Sequence, residues 1–345
     1  MNWFKVLIIM KLLRCATPRR RCSFFLNKKK YDIVTYIDPD VLFFSELSEL
    51  SDKTKSIYLT PHILTSTIPY CGDASENELL KYGIYNCGFI AIRNTEVGKC
   101  FLQWWMEKLT NQCYSDAEYG LYTDQKWVDF VPSLFPLSDI MIIRNMGYNV
   151  APWNYFEREV KFENNDFLII DRTGASSNID KLCFVHYSGY NYAKLTDDVV
   201  EHNYRKLRDY QDVQVLLHLY GNELKQANVK EYFELKYSFS TFSNDKLVMG
   251  FHRRLYRVLL ERHKCIKKPF DSNGEFYRLL KANHLISNSK PDIKKKNVKN
   301  FEKKYLLLCK FYDVIFKILK VDKYVQALKA FQFYSRFEQQ EFLLR

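Results

Sequence analysis

Glycine is scarce in this 345-residue chain, with 11 residues against 26 Phe and 25 Tyr. An interior poor in glycine and rich in rings is built from bulky side chains with few tight backbone approaches, and fibrous and disordered classes are excluded. Long hydrophobic runs are also missing. No window reaches the roughly 20 apolar residues that a bilayer crossing needs. The N-terminal stretch around Val6 to Met10 is interrupted by Lys5, is soon followed by Arg19, Arg20 and Arg21, and has no small-residue cleavage site, so it does not read as a signal peptide. The 9 cysteines are odd in number and contain no CxxC pair, which argues against a disulfide framework and for a reducing cytoplasm. No repeat of fixed period is present.

What is present is an apolar fraction of 47% and a net charge of +12, from 52 Lys and Arg against 40 Asp and Glu. That length and apolar content suit one large α/β domain with an appendage, or two domains. The charge attracts phosphates, nucleic acid or an anionic membrane leaflet, and does not choose among them. Tyr31 to Ile37 reads as a strand, rich in β-branched and aromatic residues. Ser56 to Thr60, Gly88 to Arg93, Asp139 to Arg144 and Cys183 to His186 are shorter strand candidates. Glu96 to Leu109 carries Val97, Phe101, Trp104, Trp105 and Leu109 at helical spacing, as expected of a helix lying on a sheet. Beyond residue 196 helical patterns take over, at Val199 to Leu224, Leu247 to His263, Glu275 to Leu285 and from Lys303 onward. Ser287 to Asn300, with Pro291 and three consecutive lysines, reads as a linker.

The string with most chemistry in it is Tyr36-Ile37-Asp38-Pro39-Asp40-Val41-Leu42-Phe43-Phe44. An apolar strand runs into two carboxylates, and Pro39 has no N–H to continue the ladder. Two hard oxygen ligands at the C-terminal edge of an α/β sheet suit Mg²⁺ or Mn²⁺ on a diphosphate. In isolation the pair also fits an acidic turn capping a strand. The strongly apolar strand before it and Phe43-Phe44 after it favour a site.

Several strings resemble the bacterial GT-A glycosyltransferases of the nucleotide-diphospho-sugar transferase superfamily, distantly related to glycosyltransferase family eight. They are YDIVTYIDPDVLFFSEL (31–47), LTPH (59–62), GIYNCGFIAIRN (83–94), FLQWWMEKL (101–109), GLYTDQKWVDFVPSLFP (120–136), GYNVAPWNYFER (147–158) and FVHYSGY (184–190). A weaker match continues through YSFSTFSNDKLV and RRLYR (237–257). The resemblance implies an α/β GT-A-like (Rossmann-like) mixed sheet flanked by helices, followed by a mostly helical C-terminal region. It implies a hexosyltransferase-type enzyme that moves a sugar from a nucleotide-sugar donor to a hydroxyl of a glycan or lipid-linked glycan acceptor, in surface polysaccharide biosynthesis. Asp38, Asp40 and His186 are the implied ligands of Mn²⁺ or Mg²⁺, and Asp124 and Gln125 the implied catalytic pair. Asn86, Cys87, Gly88, Tyr148, Asn149, Trp153, Asn154 and Gly189 are the implied substrate-binding residues.

Each has a plainer reading. His186 also suits a hydrogen-bonded core histidine. Thr123 or Asp124 would cap a helix through Trp127 and Phe130. Tyr148, Asn149, Trp153 and Asn154 equally fit core aromatics and loop amides. No base adjacent in sequence makes Cys87 a nucleophile.

Four segments are expected: a remnant at 1–22, a GT-A-like catalytic domain at 23–195, a helical part of the transferase at 196–286, and a linker with a basic, aromatic helical extension at 287–345. Only 37 residues precede Asp38, so the fold is expected to be N-terminally incomplete, with a deficient base pocket. The alternative is a truncated, inactive remnant acting as an interaction module. A phosphohydrolase of the haloacid dehalogenase type also opens on strand and Asp-x-Asp, but has a small hydroxyl or β-branched residue where this chain has Leu42. No nucleic-acid module is recognisable. The charge suits a cytoplasmic protein attached peripherally to the inner face of the membrane.

Overall fold

The computed structural model describes residues 6–10 as backbone, and residues 31–66, 74–204, 206–233, 235, 237–262, 266–287 and 301–344. The arginine cluster at 19–21, Cys15, Cys22, Cys71 and Cys265, and nearly all of the expected linker lie outside them. The chain divides into two compact units, Met1–Phe233 and Glu234–Arg345. The architecture is mixed α/β: an open sheet flanked by helices in the first unit, and helices in the second.

The main sheet has the order β1-β2-β5-β4-β8. Its strands are β1 (Val6–Met10), β2 (Ile33–Ile37), β4 (Ile57–Pro61), β5 (Tyr85–Arg93) and β8 (Ile140–Ile142). β1 runs parallel to β2, β5 antiparallel to both β2 and β4, and β4 parallel to β8. All five residues of β2 and all nine of β5 are buried, because both faces of the sheet are covered. On one face Val34, Tyr36, Ile90 and Ile92 pack with Phe101, Leu102 and Trp105 of helix α2 (Glu96–Gln112), which follows α1 (Glu76–Tyr82). On the other face Ile33, Ile37, Phe89 and Ala91 pack with Tyr148 and Phe184.

Strict alternation fails once in β5. Tyr85 and Cys87 belong to the same core as Ile90 and Ile92, so the two-residue period slips at Gly88. The pairing shows the same slip, since Leu59 faces Ile90 while Pro61 faces Tyr85. Such a bulge re-aims side chains, and here Asn86 beside it meets His186 Nδ1 at 3.1 Å.

Two two-stranded ribbons accompany the main sheet. β3 (Val41–Phe43) pairs antiparallel with β12 (Phe184–His186), setting His186 opposite Val41. β6 (Ser115–Asp116) and β7 (Leu121–Tyr122) precede the Thr123–Gln125 loop. A meander of β9 (Arg158–Glu163), β10 (Asp166–Asp171) and β11 (Ile179–Lys181) was not expected. Its signal is Asn164-Asn165, with φ of 50° and 67°, the pair of left-handed residues that a two-residue hairpin turn requires.

The helix expected over Val199 to Leu224 is much shorter, forming only as α3 (Gln214–Gln226). The preceding segment bonds elsewhere: Asn191 N–H donates to Glu201 C=O and Asn203 N–H to Gly189 C=O, each at 2.8 Å. Pairing with the stretch after β12 thus overrides local helical preference. In the second unit, α4 (Gly250–Glu261) and α5 (Glu275–Ala282) pack around Phe242, Leu255, Phe276 and Leu280. Helix α6 runs over Phe301–Tyr334 and is broken at Lys320, whose φ is 58°.

Candidate metal centre

Asp38 stands just past the end of β2, where its N–H still donates to Gly88 C=O at 2.8 Å. Asp40 stands just before β3, and its C=O accepts from Tyr187 N–H at 2.8 Å. The β3–β12 pairing therefore brings His186 onto the carboxylates from 146 residues downstream. Its Nε2 lies 3.3 Å from Asp40 Oδ1 and 3.9 Å from Asp38 Oδ2. Ligand atoms of all three residues lie within 4.8 Å of one another.

The imidazole tautomer follows from the network behind it. Gly88 N–H donates to Asn86 Oδ1 at 2.9 Å, which fixes that atom as the oxygen. The same oxygen lies 3.1 Å from His186 Nδ1, so Nδ1 carries the proton and donates it. The other end of the Asn86 amide donates to Gln125 Oε1 and to His62 Nε2, each at 3.3 Å. Gln125 Oε1 is fixed in turn by Cys87 N–H at 3.0 Å, and His62 Nδ1 donates to Ile84 C=O at 3.0 Å. Every member agrees on one assignment. The Nε2 lone pair of His186 therefore faces two carboxylates, and only a proton or a cation reconciles these acceptors.

A divalent cation fits this donor set of two hard oxygens and one imidazole nitrogen oriented by an amide behind it. Two tyrosines bind the far sides of the carboxylates: Tyr36 donates to Asp38 Oδ1 at 2.6 Å and Tyr192 to Asp40 Oδ2 at 2.8 Å. With a second proton on the ring, at Nε2, burial still raises the Asp40 pKa, but the charge and hydrogen bond of that imidazolium and the bond from Tyr192 outweigh it and hold the carboxyl down at about 2. Sequence reasoning missed both tyrosines, because Tyr36 in an apolar strand reads as core and Tyr192 lies in a short helix past the matched strings. Gly88 is needed for contact: a Cβ there would lie 2.3 Å from His186 Cε1.

The Thr123–Gln125 loop joins the same network through Gln125. Trp105 Nε1 of α2 donates to Asp124 C=O at 3.0 Å, and Thr123 donates to the Asp124 carboxylate at 3.0 Å. Burial, then the Asp38 carboxylate, then that of Asp124 push the Tyr36 phenol pKa far up, so both charges act on one hydroxyl. The turn Lys126–Phe130 begins without a side-chain cap. Gln125 bridges Cys87 N–H and Tyr82 C=O, the latter at 3.1 Å.

The remaining residues divide into two groups. Trp153 packs edge-on against both His62 and His186, with ring centroids 5.1 and 5.2 Å away, and its Nε1 is buried without a hydrogen-bond partner. Asn149, at φ 56°, buries both polar atoms of its amide without a partner. The others are engaged within the protein. Tyr148 packs on Phe89 and Phe184 and accepts from Glu49 N–H. Asn154 brackets the loop, donating to His62 C=O and Asn149 C=O and accepting from Ala151 N–H. Over Gly189 (φ 81°) the space is taken by His202, whose Nε2 would lie 2.5 Å from a Cβ.

No family model matches the chain. Over 165 residues it is 26% identical to the uncharacterized protein YfnF of Bacillus subtilis (strain 168), a match covering 48% of this chain and 52% of YfnF. The chain thus spans about half the length of that curated relative. Among solved structures it is weakly similar to the glycosyltransferase GlyE of Streptococcus pneumoniae TIGR4, at 13% identity and a TM-score of 0.28, over 68% of this chain and 55% of GlyE.

Proposed function

We propose that the chain is a metal-dependent glycosyltransferase of the GT-A, family-eight-like type, transferring a hexosyl unit from a nucleoside-diphosphate sugar to a hydroxyl of a glycan or lipid-linked glycan acceptor. The observation that carries this reading is the convergence of Asp38, Asp40 and the Nε2 of a tautomer-fixed His186 beyond the end of a sheet strand. A Mn²⁺ or Mg²⁺ ion held by these residues would neutralise the charge that develops on the departing diphosphate.

The chain's own residues do the rest. In the transfer, the bond from the anomeric carbon to the diphosphate oxygen breaks, the acceptor oxygen bonds to that carbon, and the acceptor proton leaves. The Asp124 carboxylate, which accepts from Thr123 and whose backbone carbonyl accepts from Trp105, receives that proton or stabilises positive charge at the anomeric carbon. Trp153 and Asn149 bring buried donors without partners, suited to sugar hydroxyls. Gln125 and Asn86 hold the network that orients His186. Four domain-like segments, at 1–22, 23–195, 196–286 and 287–345, remain our proposed division of labour, with the transfer chemistry in the second.

The test is turnover of a panel of nucleotide sugars by the full chain with Mn²⁺ present. Release of nucleoside diphosphate that disappears with chelator and in Asp38→Asn and Asp40→Asn is expected. Equal release by the wild type and both variants would refute the reading.

A further inference from the structure

We propose that helix α6 lies in the surface of an anionic lipid bilayer, as the membrane-docking element of the second unit. The first half of the helix, up to the break at Lys320, is apolar around more than half of its circumference. At about 100° per residue, Tyr305, Leu307, Leu308, Phe311, Val314, Ile315, Phe316 and Ile318 fall on one arc of roughly 200°, a little over half of the wheel. This arc is open to solvent: Leu307 is 69% exposed, Phe311 55% and Ile318 72%. The opposite, narrow arc carries Lys303, Lys310 and Lys317, which recur every seven residues and so stack in one stripe. Glu302 and Asp313 share that arc, with Asp313 paired to Lys317 at 2.6 Å; Leu306 falls among the polar residues and Lys304 among the apolar ones. Past the break, Val321, Tyr324, Val325, Leu328 and Phe331 again share one face.

Three occupants would cover such a surface, and the pattern selects one. Crossing a bilayer is excluded for the described helices, none of which is long and apolar enough. A second copy of the helix would cover a seam about two residues in seven wide, leaving about half of this arc wet, and would bring like charges together. A bilayer surface accepts the whole arc, while the lysine stripe reaches up to the headgroups. The helix holds seven lysines against three acidic residues, so its charge complements anionic lipid. The break at Lys320 lets the two halves meet the surface with separately oriented apolar faces.

The experiment is flotation of the full chain with vesicles of phosphatidylcholine alone or mixed with phosphatidylglycerol. Binding to the mixed vesicles should be at least about tenfold tighter, and should weaken as salt rises. Leu307→Ser combined with Ile318→Ser, both at exposed positions, should weaken it at least about tenfold, since each removes buried apolar area in the membrane. Lys303→Gln, Lys310→Gln and Lys317→Gln together should abolish the preference for phosphatidylglycerol while leaving the circular dichroism unchanged. Unaltered flotation of either variant would overturn the proposal. So would a chain that ignores vesicles and forms a dimer that the Leu307→Ser, Ile318→Ser variant dissociates, since the occupant would then be a second copy.

Discussion

At the residue scale, the account turns on which atom of His186 carries its proton. Asn86 decides this, so Asn86→Ala should leave the sheet folded but lower Mn²⁺ affinity by roughly 10- to 100-fold, the usual cost of losing the group that orients a metal-bound histidine. Calorimetric titration with Mn²⁺ reads this directly, and an unchanged affinity would show that Asn86 does not set the tautomer. His62 makes a separate prediction. Burial holds its pKa at about 4, below its ordinary 6.5, so it is neutral in the folded protein. The unfolded chain binds the extra proton first, so this stabilisation is complete above about pH 6.5 and is lost as pH falls towards about 4, by up to about 1.4 kcal/mol per unit. Urea midpoints should fall across that window in the wild type and less steeply in His62→Gln; parallel curves would contradict the assignment.

The same residues mark the reach of the sequence. Asp38-Pro39-Asp40 is legible because strand, proline and carboxylates are contiguous. His186 is not, since nothing local joins it to the pair, and only its place in a matched string singled it out. Tyr36 and Tyr192 carried no signal, because their hydroxyls matter only after two distant segments meet. The four hydrogen bonds of the Asn86 amide were likewise invisible, since three partners come from other segments.

At the scale of elements, strands with both faces buried were the most readable, as in β2, where β-branched and aromatic residues run without a break. β5 begins three residues earlier than the apolar run suggested, because its first residues straddle the bulge at Gly88. The β9–β11 meander went unseen although Asn164-Asn165 is a strong hairpin turn signal. That turn yields a prediction of its own. Asn165, at φ 67°, should accept Gly with little change, whereas Asn165→Val should cost about 1–2 kcal/mol, because a β-branched residue is strained there. Chemical denaturation measures the difference, and equal stabilities would mean the turn is not left-handed in solution. The shortened α3 is the opposite case, a helical pattern overridden by pairing with the chain after His186.

At the scale of the whole molecule, a formal charge of +12 and an exposed, lysine-striped apolar helix accompany a cluster of two carboxylates and a histidine. The acidic centre is therefore a local exception to a basic protein, and under the proposed function it needs a cation before it can hold a diphosphate. That requirement is the account's central claim. It is tested most directly by titrating a nucleoside diphosphate into the full chain with and without Mn²⁺. The account predicts binding that appears only with Mn²⁺ and vanishes in Asp40→Asn. Binding that is indifferent to Mn²⁺ and unaltered in Asp40→Asn, or no binding under either condition, would contradict it.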